Sequence, residues 1–268
     1  MKLYGIDFTS APRRRKPITI AAGRLEAGKL RLEEFRYCAG WSDFEHFLQT
    51  PGPWCGAFDF PFGLPRELVS TLGWPDNWAT LVTHIAKLGK TDFCAALNAA
   101  REARPAGQRY AHRRTDIPAR SHSPMKLVNP PVGLMFFEGT PRLLAADMHL
   151  PGIHAADEAR VALEAYPGLL ARTITRQSYK NDSVAKQTSE RRLARGSILD
   201  ALLSGRHPLD LQLETASSLA TAMLDDGSGD LLDATLALTQ AAWCAQRKDS
   251  GWGLPADIDP LEGWIVTA

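Results

Sequence analysis

Two short apolar runs constrain this chain more than anything else in it, because each ends on an acid. Lys2-Leu3-Tyr4-Gly5-Ile6 runs into Asp7, and Trp54-Cys55-Gly56-Ala57-Phe58 runs into Asp59. A short apolar run that stops on a polar residue reads as a buried strand. Between the two runs lie three features. Pro17–Gly23 is β-branched, Gly28 closes a turn, and Lys29–Phe35 alternates as a strand does. Trp41–Leu48 then carries Trp41, Phe44 and Leu48 at helical spacing, with Ser42 near its start. The order to residue 60 is therefore β-β-β-α-β. The first three strands form an antiparallel meander, and the helix is a crossover that sets the Asp59 strand parallel to the Asp7 strand. Parallel neighbours share a C-terminal edge, the place where open α/β sheets bind ligands.

Two carboxylates meeting at that edge raise each other's pKa unless a cation intervenes. A hard divalent ion resolves the conflict, and Mg²⁺ often takes only one or two carboxylates together with water and phosphate. The competing interpretation for either acid alone is a turn cap or an arginine partner. Glu164 repeats the pattern at the end of Arg160–Tyr166, before Pro167-Gly168. It fits an edge-strand glutamate facing water nearly as well. Asp230 and Asp233 open the last long helix after Gly227-Ser228-Gly229. Three residues apart, they share one helix face. Asp230 also suits a first-turn acid, whereas Asp233, flanked by Leu232 and Leu236, needs a partner if buried.

The remainder of the chain is read more coarsely. Residues 66–151 form an insertion or cover, with helices expected over Trp78–Leu88 and Phe93–Arg104 and an extended segment within Val128–Phe137. Helices are expected over Ser189–Leu203, over Leu213–Leu224, and from Gly229 to about Gln246, with Gly263–Val266 as a closing strand. The fold class is α/β: a mixed five-stranded sheet, antiparallel meander plus parallel strands, flanked by helices, in one domain over residues 1–268. Net charge is +1, so any basic surface is local. Arg109, Arg113 and Arg114 lie in a basic stretch with Tyr110 and suit a phosphate backbone. A solvated loop accounts for them equally well. Lys180, Arg191 and Arg192 are further candidates for phosphate charge. The four cysteines are scattered, which favours reduced thiols in a cytoplasm over a zinc ribbon or disulfide framework. No run spans a membrane. Gly89-Lys90-Thr91 ends like a P-loop, but His84 stands where its first glycine belongs.

The words Gly5-Ile6-Asp7, Phe58-Asp59-Phe60-Pro61-Phe62-Gly63-Leu64-Pro65, Glu164-Ala165-Tyr166-Pro167, Asp230-Leu231-Leu232-Asp233-Ala234 and Glu262-Gly263-Trp264-Ile265 span nearly the whole chain. Together they resemble the domain-of-unknown-function 429 family, whose members are held to be nucleases of the ribonuclease H-like superfamily. The resemblance implies that fold, a carboxylate cluster at Asp7, Asp59, Glu164 and Asp233, with Asp230 beside it, and Mg²⁺ or Mn²⁺ as cofactor. The function that follows is metal-dependent hydrolysis of a phosphodiester in nucleic acid. If two ions are held, roughly 3.5–4 Å apart, no covalent nucleophile is needed. Two alternatives remain open: a non-catalytic nucleic-acid-binding scaffold, and a phosphotransferase of the actin and sugar-kinase type.

Overall fold

The computed structural model describes residues 1–268. The meander consists of β1 (Lys2–Asp7), β2 (Ile18–Glu26) and β3 (Lys29–Cys38), followed by α1 (Trp41–Leu48) and β4 (Trp54–Phe58). Then come α2 (Arg66–Thr71), α3 (Trp78–Leu88), α4 (Lys90–Glu102), α5 (Asp116–Ala119) and α6 (Val132–Ala145). The second half holds β5 (Met148–His149), β6 (Asp157–Glu164), α7 (Pro167–Ile174), α8 (Ser189–Ser204), β7 (Leu213–Glu214), α9 (Ser217–Asp225) and α10 (Asp230–Ala245).

The sheet has seven strands rather than five, in the order β5-β6-β4-β1-β2-β3-β7. The two extra strands, β5 and β7, are two residues long and sit at the edges. Nothing that short carries a periodicity; each exists because an adjacent edge offers unpaired backbone groups. β1 pairs antiparallel with β2 and parallel with β4, in a register that sets Ile6 beside Phe58. β6 is parallel to β4 on the other side, with Glu164 beside Phe58. Gly263–Val266 closes as a single bridge, Ile265 to Glu164, and not as a full strand.

Strand alternation gives the sheet two apolar faces. Tyr4, Ile6, Ile20, Trp54 and Phe58 pack on one side with α1 and with α2, α3, α4 and α6 of the 66–151 segment. Leu3, Leu30, Cys55 and Leu163 pack on the other with α7 to α10. The expected extended segment near Val128 is in fact helical from Val132. Phe136 and Leu143 are buried at helical spacing. The expected helix from Leu213 is instead β7 and then α9 from Ser217. No helix is long and apolar enough to cross a membrane.

α10 is buried from Leu231 to Ala242 on all sides and crosses the middle of the sheet. It packs directly on β1 because Gly5 has no side chain. A Cβ there would lie 2.0 Å from the Ala234 carbonyl oxygen and 2.1 Å from the Leu238 nitrogen. Both obstacles are backbone, so no rotamer change relieves them. Gly5→Ala is therefore expected to lift α10 from β1 and lower stability by about 3 kcal/mol. Chemical denaturation checks this, and an unchanged midpoint would show that the helix can slide without cost.

Candidate carboxylate site

The close contact at Gly5 decides where the acids meet. Asp7 follows two residues along β1 on the same face as Gly5, and Asp233 precedes Ala234 on α10. Asp59 lies one residue beyond β4. Its backbone N–H donates to the Ile6 carbonyl at 2.9 Å, so the parallel ladder continues to the edge and sets Asp59 beside Asp7. Alternation turns both side chains toward α10, as it does Ala57, which packs on Ala237 and Ala241. The sheet edge and the first turn of α10 thus bring Asp7, Asp59 and Asp233 into one charged group with Asp230.

Their surroundings differ. Asp233 is fully buried; it accepts a hydrogen bond from the Tyr179 hydroxyl at 2.5 Å and pairs with the Lys180 ammonium. Asp230 pairs with Lys16 at 2.7 Å, and Lys16 also reaches Asp182 at 2.8 Å. Asp7, only 9% exposed, and Asp59 accept no hydrogen bond from any side chain or backbone N–H. Burial, then Asp233 and Asp230, drive the Asp7 carboxyl well above the usual range, and Lys180 only partly offsets this. Burial and Asp233 push Asp59 up to about 7, again against Lys180. For Lys180 burial opposes the charge, but Asp233, Tyr179 and Asp7 outweigh it and hold the ammonium well above its ordinary value. Burial and the Asp233 charge likewise raise the Tyr179 hydroxyl, which stays a donor.

Glu164 is held differently: it lines the same cavity as Asp59 and its charge adds to the rise at Asp59, but it is already paired. The register sets it beside Phe58, not Asp59, so it leaves the sheet on the opposite face. There both its oxygens are taken. The Arg113 guanidinium donates to them at 2.8 and 2.6 Å, and the Phe62 N–H donates at 2.9 Å. Burial raises the Glu164 carboxyl while Arg113 and the Phe62 N–H pull it back. Arg113 itself is 1% exposed and also binds Asp116 and the Glu262 carbonyl. It is a structural cation, not a free phosphate ligand. Arg114 pairs with Asp257 at 2.9 Å and lies over the Trp264 ring, while Arg109 is exposed without a partner. Neither borders the cavity beside the acids, contrary to expectation. Glu262 accepts from the backbone N–H groups of Arg66 and Arg114 and ties the C-terminal turn down. Arg191 and Arg192 are spent on Lys186 and Asp225.

That cavity has a volume of about 450 Å³, with Asp59, Tyr179, Lys180 and Glu164 in its lining. Tyr179 had drawn no attention in the sequence. A tyrosine next to a lysine before the acidic helix is its one trace there, and only the fold reveals that both reach Asp233.

A divalent cation fits this donor set in a limited sense. Four carboxylates face two ammonium groups, Lys16 and Lys180, and the two unpaired carboxylates are Asp7 and Asp59. All the donors are hard oxygens. No three His, Cys, Asp or Glu side chains form a ready cage, so the fit is to an ion held by two carboxylates and water, as Mg²⁺ often is.

The raised acids make stability fall with pH. The folded protein binds protons at Asp7 and Asp59 that the unfolded chain releases near pH 4, so this stability is complete at low pH; the Asp59 part is lost as pH rises through about 7, and the Asp7 part is lost well above the ordinary carboxylate range. Lys16, Lys180 and Tyr179 do not titrate in that window. His122 and His207, held below their ordinary value by burial, contribute an opposite slope that ends near pH 6.5. Denaturation in EDTA should therefore show a loss of about 1–3 kcal/mol from pH 6 to pH 8. Mg²⁺ should flatten the curve, and a stability that rises over this range would show the acids to be paired.

Compared with known protein families, with curated proteins and with solved structures, the chain matches none.

Proposed function

We propose that the chain is a ribonuclease H-like, divalent-metal-dependent phosphodiesterase acting on nucleic acid. One observation carries this reading: Asp7 and Asp59 are brought side by side at the ends of neighbouring parallel strands, beneath Asp233, with no donor to satisfy them. Holding a buried Asp7 and a half-buried Asp59 together without protein partners is costly, and a cation at the cavity relieves that cost. The meander, crossover helix and parallel strand, and the motif resemblance to the domain-of-unknown-function 429 family, favour the same interpretation.

Asp7 and Asp59 would hold the Mg²⁺ or Mn²⁺. The chemistry such an ion supplies when bound is polarisation of a phosphoryl oxygen and acidification of a coordinated water. Lys180, fixed at the cavity wall by Asp233, offers its charge to a non-bridging phosphate oxygen. Tyr179 orients Asp233 by its hydroxyl. A second interpretation, a non-catalytic nucleic-acid-binding module, draws on the absence of a three-ligand group and on the two lysines that already neutralise Asp230 and Asp233.

Calorimetric titration with Mn²⁺, followed by a hydrolysis screen against single-stranded, duplex and branched DNA and RNA, separates the two. The phosphodiesterase requires a saturable Mn²⁺ site and Mn²⁺-dependent cleavage of at least one of these. Binding of nucleic acid with no Mn²⁺ site would establish the module instead.

A further inference from the structure

The cavity beside the acids has a composition that the phosphodiester chemistry does not use. Its lining is mixed: Asp59, Lys180 and the Arg113–Glu164 pair are charged, while Pro61, Val132 and Met135 are apolar, with the Tyr166 ring among them. Tyr166 is held in a fixed orientation. One part of its ring rests on Gly168, where a Cβ would come within 3.0 Å of the ring carbons. The Arg172 guanidinium lies 4.9 Å from the ring centroid and donates to the Tyr166 hydroxyl at 3.0 Å and to the Ala119 carbonyl at 2.6 Å. Ser121 and His122 add polar groups to the lining. Val132 and Met135 come from α6, so the segment inserted between β4 and β5 builds the wall opposite the sheet edge.

We propose that this cavity receives the unpaired base of a single nucleotide whose phosphate lies at Asp59 and Lys180. The inference rests on the phosphodiesterase reading and adds the substrate class: a nucleoside phosphate with its base out of any stack, whether free or at a single-stranded end. A cavity of about 450 Å³ is of the size that encloses one small ligand. Apolar walls with one fixed aromatic ring and an arginine are the surroundings in which a base binds through its flat faces, whatever its sequence. A base stacked and paired inside a duplex cannot enter; one that is frayed, flipped or single-stranded can. The basic stretch at residues 101–126 contributes through the cavity lining at Arg113, Ser121 and His122, not by gripping a backbone.

The test fills the cavity without touching the acids. Met135→Trp and, as an independent variant, Val132→Phe are compared with the wild type, each first confirmed folded by circular dichroism. Binding is measured with Ca²⁺ in place of Mn²⁺, so that a cation is present at the carboxylates without supporting cleavage, to a short single-stranded DNA, to its blunt duplex, to the same single strand with an abasic nucleotide at each position in turn, and to AMP and TMP. The wild type should lose about tenfold in affinity when one particular base is removed. The filled variants should bind the intact single strand about tenfold more weakly and be indifferent to that base, with duplex binding changed less than twofold. AMP and TMP binding lost in the variants identifies a free nucleotide as a ligand, and single-strand binding alone identifies a strand end; either supports the cavity as a base site. Equal weakening for single strand and duplex, or a wild type indifferent to every abasic position, overturns it. Failure of the two proposals is separable. Mn²⁺-dependent cleavage without base dependence removes this one alone, and base-dependent binding without cleavage removes only the phosphodiesterase.

Discussion

On the proposed function, Asp7→Asn should abolish Mn²⁺-dependent hydrolysis, by at least about a thousandfold, and at the same time melt above the wild type in metal-free buffer once the pH is high enough to ionise the buried Asp7 carboxyl. The loss follows from removing one of the two carboxylates available to a cation; the remaining one, Asp59, cannot hold it alone against Lys180. The gain follows from the same geometry. Asp7 is buried among Asp59, Asp230 and Asp233 with no hydrogen bond, so replacing its charge with a neutral amide of equal size removes repulsion and a desolvation cost. A gain of about 1–2 kcal/mol corresponds to roughly 2–4 °C for a chain of this size. Hydrolysis rates and thermal unfolding, with and without Mn²⁺, check both halves. An Asp7→Asn protein that is less stable than the wild type in EDTA would make Asp7 a structural acid, and one that keeps full activity would place the chemistry elsewhere.

The second large effect lies on the opposite face of the sheet. Arg113→Met should cost about 3–5 kcal/mol, because it strands the buried Glu164 carboxylate and takes two bonds from Asp116. Glu164→Gln in the wild-type background should destabilise for the same reason, leaving Arg113 in part unpaired. Combining the two should recover only the part of the loss that comes from Glu164, because the fully buried Asp116 keeps its bonds from the residue-113 backbone N–H and from Ser121 but stays without its cation. Mn²⁺ affinity should survive in Glu164→Gln wherever the protein is folded. A Glu164→Gln that is fully stable but no longer binds Mn²⁺ would make Glu164 a ligand despite its pairing with Arg113.

Glu164 also marks the limit of what the residues reveal on their own. The meander, α1 and β4 were legible because each is a local pattern: alternation, a turn glycine, three apolar residues at helical spacing. The convergence of Asp7 and Asp59 followed from them, because one crossover fixes both the direction and the shared edge. Which face Glu164 occupies depends on the register of β6 against β4, a pairing about a hundred residues apart in sequence, and a slip of one residue reverses it. The counter-ions were hidden for the same reason. Lys16 meets Asp230 and Lys180 meets Asp233 only once α10 has docked on Gly5. Arg113 looked like one of several surface cations, and nothing in its neighbours distinguishes the one arginine that is buried. Leu193, apolar and at the start of α8, is 71% exposed, while Ile198, Leu199 and Leu202 of the same helix form its buried side.

The position of the site along the chain has a kinetic consequence. Asp7 and Asp59 are joined by about fifty residues of meander and crossover, contacts that form early because the loops to be closed are short. Asp233, Tyr179 and Lys180 lie more than a hundred residues beyond Asp59, so docking α10 on β1 closes a far longer loop and is expected after the meander has formed. During folding the two acids are therefore neighbours before Lys180 is there to oppose them, in a half-built sheet whose α10 face is still open to water. Water screens them at that stage. The repulsion grows only as α10 settles and shuts it out, so the penalty falls on the final docking step rather than on the nucleus. A chain arranged in this way postpones the cost of its acids until the scaffold that confines them already exists.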